Sequence, residues 1–121
     1  MNQIQNSKLY DLEERTLKFA SEVRIFVKKL PKTMGNIEDG KQVIRSSGSV
    51  GANYIEANEA LSKKDFVMRI KICRKEGKET QYWLQLVDVN NISELNEERI
   101  RLLQESKELT KIFGSILEKS K

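Results

Sequence analysis

The sequence lacks histidine altogether and contains a single cysteine, Cys73. Without histidine the chain has neither the commonest general base nor the commonest ligand of transition metals. A lone cysteine excludes an intramolecular disulfide and suits a reducing compartment. Carboxylates such as Glu56 and Glu59 have no nucleophile or set of metal ligands beside them, which favours a solvated or salt-bridged surface. We therefore expect a protein that is not an enzyme, with no catalytic residue, no cofactor and no metal ion.

Proline and glycine are also scarce, with one proline and six glycines in 121 residues, which is too few for a loop-rich β protein. No apolar run approaches the ~20 residues that a membrane-spanning helix needs. The N-terminal residues lack the apolar stretch of a signal peptide. These features favour a cytoplasmic protein with no membrane partner, and the length suits one domain, 1–121.

Four segments have the hydrophobic spacing of amphipathic helices, at about 8–30, 37–60, 63–89 and 94–119. Because the breaks between them are short, the predicted fold is all-α, an antiparallel up-down-up-down four-helix bundle. The structural alternative is a coiled-coil dimer of long hairpins. Apolar or small residues in steps of three and four form the predicted core positions: Leu9, Leu12, Thr16, Phe19, Val23, Phe26 and Leu30; Val43, Ser47, Val50, Tyr54, Ala57 and Leu61; Phe66, Ile70, Cys73, Gly77, Thr80, Leu84 and Val87; Leu102, Ser106, Leu109, Phe113 and Ile116.

Local signals predict where the helices begin and end. Pro31 should stop the first helix, because the residue before a proline avoids the α region. Asn36, Ser62 and Ser93 are the predicted N-caps of the other three helices, with Asn91 as an alternative to Ser93. Acidic residues near the first helix start, including Asp11, suit the helix dipole.

A partial phosphate-binding loop motif occurs between Gly35 and Lys41. The residue that follows is Gln42, where that loop needs Ser or Thr to bind magnesium. The preceding segment is a lysine-rich helix end instead of an apolar strand. The start of a capped helix therefore explains these residues better than nucleotide hydrolysis does.

The third predicted helix has a basic outer face. Between Lys63 and Lys78 there are seven basic and two acidic residues, within a chain whose formal net charge is +4. A row at helical spacing follows steps of three and four opposite the apolar positions and consists of Lys64, Met68, Lys71, Lys75, Lys78 and Tyr82. Such a row can contact a phosphate backbone and release its counterions. A solvated lysine surface, partly neutralised by Glu76 and Glu79, is the alternative interpretation.

The second predicted helix has a surface of small and polar residues. Its members include Arg45, Ser49, Asn53 and Glu56, at helical spacing. These residues predict a subunit interface in which Asn53 and Glu56 pair with a basic residue such as Arg45. A tight contact between helices of one chain is the alternative. Apolar residues outside the core positions, Leu17, Ile25 and Leu86, also favour self-association.

A resemblance to a known family runs through these same segments. The stretch from Ile44 to Ala57, IRSSGSVGANYIEA in one-letter code, resembles the pattern arginine–small–small–x–Ser–Val/Ile–x–x–Asn–Ile–Ala–Glu–Gly of a bacterial family encoded in intervening sequences of 23S ribosomal RNA genes. Ser62, Asp65 and Phe66 continue the match. Two further stretches do so as well, Asp11-Leu12-x-x-Arg15-Thr16-x-x-Phe19-Ala20 and Lys75-Glu76-x-x-Glu79-Thr80-x-x-Trp83-Leu84.

The resemblance implies an antiparallel four-helix bundle that assembles as a ring-shaped homopentamer. It also implies kinship with the accessory variability protein of diversity-generating retroelements, a basic pentamer associated with nucleic acid. It implies no enzyme activity and no established ligand.

Two functional hypotheses follow from the sequence. In the first, a homo-oligomeric bundle binds RNA or DNA backbone through six basic residues: Lys63, Lys64, Lys71, Arg74, Lys75 and Lys78. In the second, the bundle is a scaffold that binds another protein, and the lysines are only solvated.

Overall fold

The computed structural model describes the backbone of residues 2–121 and the side chains of residues 12–121. It contains four helices, α1 (Asn2–Lys29), α2 (Met34–Asn58), α3 (Lys63–Leu86) and α4 (Ser93–Lys119), with no strand in the described range. The prediction of an all-α bundle is therefore confirmed. None of these helices, over the part of the chain described, is both long and apolar enough to cross a bilayer.

Neighbouring helices run in opposite directions. In the contact between α2 and α3, Ser46 meets Thr80 whereas Asn53 meets Arg69, so one residue number rises as the other falls. Each helix packs against the helices before and after it in the chain, and α4 closes the ring against α1. Contacts between α1 and α4 show the same reversal: Arg15 with Glu105, Glu22 with Arg101, and Lys29 with Glu98.

The core contains nearly all of the predicted positions that the structure describes. Fully buried side chains come from all four helices, among them Phe19, Phe26, Ile70, Leu84 and Phe113. Phe66 and Ile116 are partly buried and pack against this core. Leu9 and Asp11 lie outside the residues whose side chains are described.

Leu61 was wrongly predicted as a core residue. It is 99% exposed, because α2 ends at Asn58 and the helical period no longer applies three residues later. Val87 is buried as predicted, but in extended backbone beyond the end of α3. The prediction that α3 continues to residue 89 is therefore also wrong.

Three glycines bring helices close together. A Cβ at Gly40 would lie 2.9 Å from Val27 Cγ1 of α1. A Cβ at Gly51 would lie 2.8 Å from Thr16 Oγ1 of α1, and one at Gly77 would lie 2.5 Å from Thr110 Cγ2 of α4. This explains why residues of low helix propensity occur inside helices. Gly48, in contrast, faces the guanidinium group of Arg24 at an ordinary contact distance of 3.6 Å.

Asn36 does not cap α2. The cap is Thr33, whose side chain accepts a hydrogen bond from the backbone N–H of Asn36. The buried Asn36 side chain instead donates to the carbonyls of Pro31 and Asp88 and accepts from the N–H of Asp88. It therefore joins the α1–α2 connection to the α3–α4 connection. The segment 35–41 lies in the first turns of α2, so its interpretation as the start of a helix is confirmed.

The other helix ends follow the predictions in part. Ser62 caps α3 by accepting from the N–H of Asp65, as predicted. The N-cap of α4 is Ile92, with no side-chain hydrogen bond, instead of Ser93 or Asn91. Helix α1 begins at Asn2 instead of about residue 8, and no proline or glycine in residues 2–7 opposes this extension.

Candidate nucleic-acid interface

The basic face of α3 consists of the six residues that the sequence predicted as a nucleic-acid site. Helical spacing places four of them opposite the core side of α3, and Lys63 and Arg74 lie beside that row, nearer the core side. Every one of the six is exposed: Lys63, Lys64, Lys71, Arg74, Lys75 and Lys78. None of the six forms an ion pair with another residue of the range 12–121. Their charge is therefore not neutralised by direct contact with the described part of the chain.

The acidic residues between these lysines do not cancel the basic face. Glu76 is partly buried, and burial, followed by the negative charge of Glu79, raises the pKa of its carboxyl group. Lys75 and Arg45 act in the opposite direction on that pKa. Neither Glu76 nor Glu79 forms an ion pair with the basic face. Direct pairing with these two acids therefore does not occur, and the alternative of a solvated lysine surface, partly neutralised by Glu76 and Glu79, stays open.

An aromatic pair lies at the C-terminal end of the basic face. Tyr82 is 59% exposed, and it follows Lys78 by one helical turn. Its ring meets Trp83 edge to face, with centroids 4.9 Å apart and an interplanar angle of 80°. Trp83 is itself packed against the core. The tyrosine ring therefore contacts one core-packed aromatic neighbour while much of it remains open to solvent.

The four residues predicted as a subunit interface lie on the side of α2 near α3. Ser49 and Asn53 are partly buried, whereas Arg45 and Glu56 are exposed. The Asn53 amide donates to the carbonyl and the hydroxyl of Ser49, each at 2.9 Å. Arg69 of α3 donates to Asn53 Oδ1 at 3.0 Å and lies 3.9 Å from Glu56. Within the chain, the basic residue that joins Asn53 and Glu56 is therefore Arg69, which the sequence analysis did not identify.

A charged cleft of about 630 Å³ separates the outer sides of α1 and α4. Arg15 donates to both carboxylate oxygens of Glu105, at 2.7 and 2.8 Å, and to Glu108 at 3.3 Å. These carboxylates raise the pKa of the guanidinium group, with the hydrogen bonds to Glu105 first. Further along the cleft, Arg101 of α4 pairs with Glu22 of α1 at 2.9 Å. Local sequence patterns do not indicate this cleft, because the paired residues are about 80 to 90 positions apart in the chain.

An apolar groove of about 440 Å³ lies between α1 and α2. Small residues form its floor, including Ala20, Gly48 and Gly51, and exposed Leu17 and Ile55 stand on its edges. Leu17 was predicted from the sequence only as an additional apolar residue, and its position beside the small residues of α2 appears only in the folded chain. Ile25 and Leu86, the other two additional apolar residues, are exposed elsewhere on the surface, each at 51%.

Cys73, the only cysteine, is fully buried, and burial raises the pKa of its thiol to about 12. Its interpretation as a core residue is therefore confirmed. Within residues 12–121, no group of three or more Cys, Asp or Glu side chains is arranged to hold a metal ion.

The chain matches the family described as 23S rRNA-intervening sequence protein over residues 9–115. It belongs to that family. The match includes the basic face, the α2 surface and both grooves. No curated protein matches the chain. The family resemblance inferred from the IRSSGSVGANYIEA stretch is thus confirmed.

A solved structure supports this family assignment. It is the crystal structure of a protein of unknown function from the S23 ribosomal protein family of Bacteroides thetaiotaomicron, 31% identical to this chain. The alignment covers 88% of this chain and 97% of the other, with a TM-score of 0.73. The two chains therefore share the four-helix fold over nearly their whole lengths.

Proposed function

We propose that this member of the family is a non-catalytic bundle that binds RNA or DNA backbone through the basic face of α3. The observation that carries this proposal is that all six basic residues are exposed and none is paired with a carboxylate in the described chain. Phosphate contacts by such residues release condensed counterions and thereby drive binding. The row from Lys71 to Lys78 extends about 10 Å along the helix axis, enough to follow a short stretch of backbone.

The proposal includes self-association, with a homopentamer as the expected assembly. Its expected contact surface contains Arg45, Ser49, Asn53 and Glu56. The exposed charges of Arg45 and Glu56, next to the ordered Asn53 amide, give this surface complementary groups for a second copy. Repetition of the basic face around a ring would strengthen binding to a long polymer through effective concentration. The buried free thiol of Cys73 suits the cytoplasm, which we take as the location.

Charge reversal of three residues tests nucleic-acid binding. The variant Lys71→Glu/Lys75→Glu/Lys78→Glu should lose measurable binding to labelled RNA and duplex DNA in fluorescence anisotropy, because it replaces attraction to phosphate with repulsion. Its helicity and thermal unfolding should stay close to wild type, since all three positions are exposed. For the wild-type chain, log K should fall with log salt concentration by roughly 0.9 per phosphate contact on duplex DNA.

A matched control separates a local effect from one of net charge. Lys18, Lys28 and Lys111 are also exposed and form no ion pair in the described range. Reversing them to Glu changes the formal net charge from +4 to −2, the same change as in the first variant, because each substitution is worth two units. This control should retain most of the affinity. Equal loss in both variants would show that the basic face is not the site, and wild-type chain that binds neither polymer at low salt would refute the proposal.

A protein partner is the second candidate, and the α1–α2 groove favours it. The groove exposes Leu17 by 68% and Ile55 by 51% beside a floor of small residues, and apolar patches of this kind mark interaction surfaces. A protein bound there should remain associated in a pull-down from nuclease-treated lysate. It should be lost from the variant Leu17→Glu/Ile55→Glu but not from the α3 charge-reversal variant.

A further inference from the structure

We propose that the nucleic acid taken by the basic face is single-stranded, and that one of its bases stacks on the ring of Tyr82. This inference rests on the proposed function and adds to it the form of the ligand. It concerns the end of the basic face where the lysine row gives way to an aromatic side chain. A single strand, whether RNA or DNA, offers unpaired bases that such a ring can receive.

The position of Tyr82 continues the lysine row. Lys71, Lys75, Lys78 and Tyr82 follow one another in steps of four, three and four residues, so they lie along one face of the helix. From Lys71 to Tyr82 the row extends about 16 Å along the axis. A backbone that contacts the lysines would therefore carry its next bases directly past the ring.

The ring of Tyr82 is accessible and has an aromatic neighbour. It is 59% exposed, and it contacts Trp83 edge to face, a residue that itself packs against the core. A contact of this kind reduces the conformational freedom that the ring would lose when a base stacks on it. Tyr54, in contrast, is buried and packs against Phe113, so it serves the core.

The chemistry of the basic face favours a single strand over a duplex. In a duplex each base is stacked on its neighbours, and its edges are read in the grooves by planar groups such as the arginine fork. Five of the six residues of the basic face are lysines, which contact phosphates as point charges, and the single arginine, Arg74, lies beside the row that leads to Tyr82. Lysines beside an exposed aromatic ring are the combination that single-strand binders use, with stacking that tolerates any base.

Substitutions at Tyr82 test the stacking contact on the full-length chain. Tyr82→Leu keeps apolar bulk but removes the aromatic face, and it should weaken binding to single-stranded oligo(U) and oligo(dT) about five- to a hundredfold. Tyr82→Phe should retain wild-type affinity within about twofold, because stacking needs the ring and not the hydroxyl. Leu86→Ala is the matched control, since it removes a similarly exposed apolar side chain one turn further on. Anisotropy with each oligonucleotide, and with a hairpin duplex of equal length, measures these affinities.

Two readouts make the test independent of folding defects. An oligonucleotide containing 5-iodouracil should crosslink to Tyr82 on irradiation, with the site identified by mass spectrometry of the wild-type complex. Trp83 is the only tryptophan in the chain, and its ring lies 4.9 Å from that of Tyr82. Its fluorescence should therefore change on binding single strands, and by much less on binding the duplex.

The possible outcomes separate this inference from the proposed function. If Tyr82→Leu binds single strands as tightly as wild type, while the α3 charge-reversal variant binds neither polymer, backbone binding stands and stacking is overturned. Preference of the wild-type chain for the duplex would also overturn it, as would crosslinking only at residues outside the C-terminal end of α3. Failure of the wild-type chain to bind any nucleic acid would overturn both.

Discussion

The inner and outer faces of α3 differ in the contacts that they make with the rest of the chain. The inner face packs against the other helices: Ile70 and Leu84 are completely buried, and Gly77 and Thr80 approach neighbouring helices closely. The outer face has six exposed basic residues with no carboxylate partner in the described chain. We therefore expect stability and the proposed binding to be separable on a single helix. Substitutions on the inner face should change folding, and those on the outer face should change ligand affinity.

The largest contrast between the faces should appear in chemical reactivity. Cys73 on the inner face is the only cysteine, and burial raises the pKa of its thiol to about 12. Because the thiolate is the nucleophile, iodoacetamide near pH 8 should alkylate the folded chain at least about a hundredfold more slowly than the urea-unfolded chain. Mass spectrometry of timed samples measures both rates. The exposed lysines of the outer face should be acetylated at similar rates in the two states.

The same thiol connects stability to pH. Its pKa is raised from an ordinary value of 9.0, so the folded state holds this proton more tightly than the unfolded state. Its contribution to the free energy of unfolding is fully present below about pH 9. This contribution declines between about pH 9 and about pH 12, because in that range the thiol ionises in the unfolded chain but not yet in the folded chain. Cys73→Ala should reduce this alkaline loss in thermal unfolding. Alkylation of the folded chain at nearly the unfolded rate would contradict the burial of the thiol.

The next largest effect should come from Gly77. An added methyl group meets Thr110 Cγ2 at 2.5 Å, so Gly77→Ala should lower the free energy of unfolding by about 2 kcal/mol, even after a gain of about 1 kcal/mol in helix propensity. Thr110→Ser removes the obstructing methyl group and keeps the hydroxyl that donates to the Lys107 carbonyl. Urea unfolding should therefore show that Gly77→Ala is neutral or stabilising in the Thr110→Ser background.

Lys78→Ala provides the outer-face control for this experiment. It alters an exposed position next to Gly77 in the sequence, and the free energy of unfolding should change by no more than about 0.5 kcal/mol. A destabilisation by Gly77→Ala that persists unchanged with Thr110→Ser would show that close packing against α4 is not its cause.

Much of the inner face could be predicted from the sequence, because a helix that buries one side repeats its apolar residues every three or four positions. Ile70, Cys73, Thr80 and Leu84 follow this rule and are all buried. The rule failed at Leu61, where the apolar spacing continued but the helix did not. Periodicity identifies which side of a helix is buried, but it does not determine the last turn.

The exposure of the basic face followed from the same periodicity, whereas its surroundings did not. The partners of Asn53 and Glu56 depend on the register between α2 and α3, and Arg69 meets them only in the folded chain. Asn36 has the composition of a helix cap, yet it bonds to backbone 52 residues away. Local sequence does not show which residues far apart in the chain come into contact. It therefore predicted the candidate site as a row of residues on one helix, without the side chains of other helices that surround it.

The smallest predicted effect concerns Thr80, where the inner face of α3 is polar. Its hydroxyl is hydrogen-bonded to that of Ser46 at 2.8 Å, and both side chains are buried. Thr80→Val keeps the shape but places a methyl group against the Ser46 hydroxyl, which then keeps only its 3.4 Å hydrogen bond to the Val43 carbonyl. The free energy of unfolding should therefore fall by about 1 kcal/mol. Thr80→Val/Ser46→Ala should recover most of this loss, because it also removes the weakly bonded hydroxyl.

A double-mutant cycle in urea unfolding measures this coupling, and nucleic-acid affinity measured on the same variants completes the comparison. If the two faces are separable, none of these inner-face variants should change affinity for single strands while the chain remains folded. Loss of affinity in folded Thr80→Val would show that the inner contacts position the basic face for binding. Stability equal to wild type in the single variant would instead show that the two hydroxyls contribute nothing through their bond.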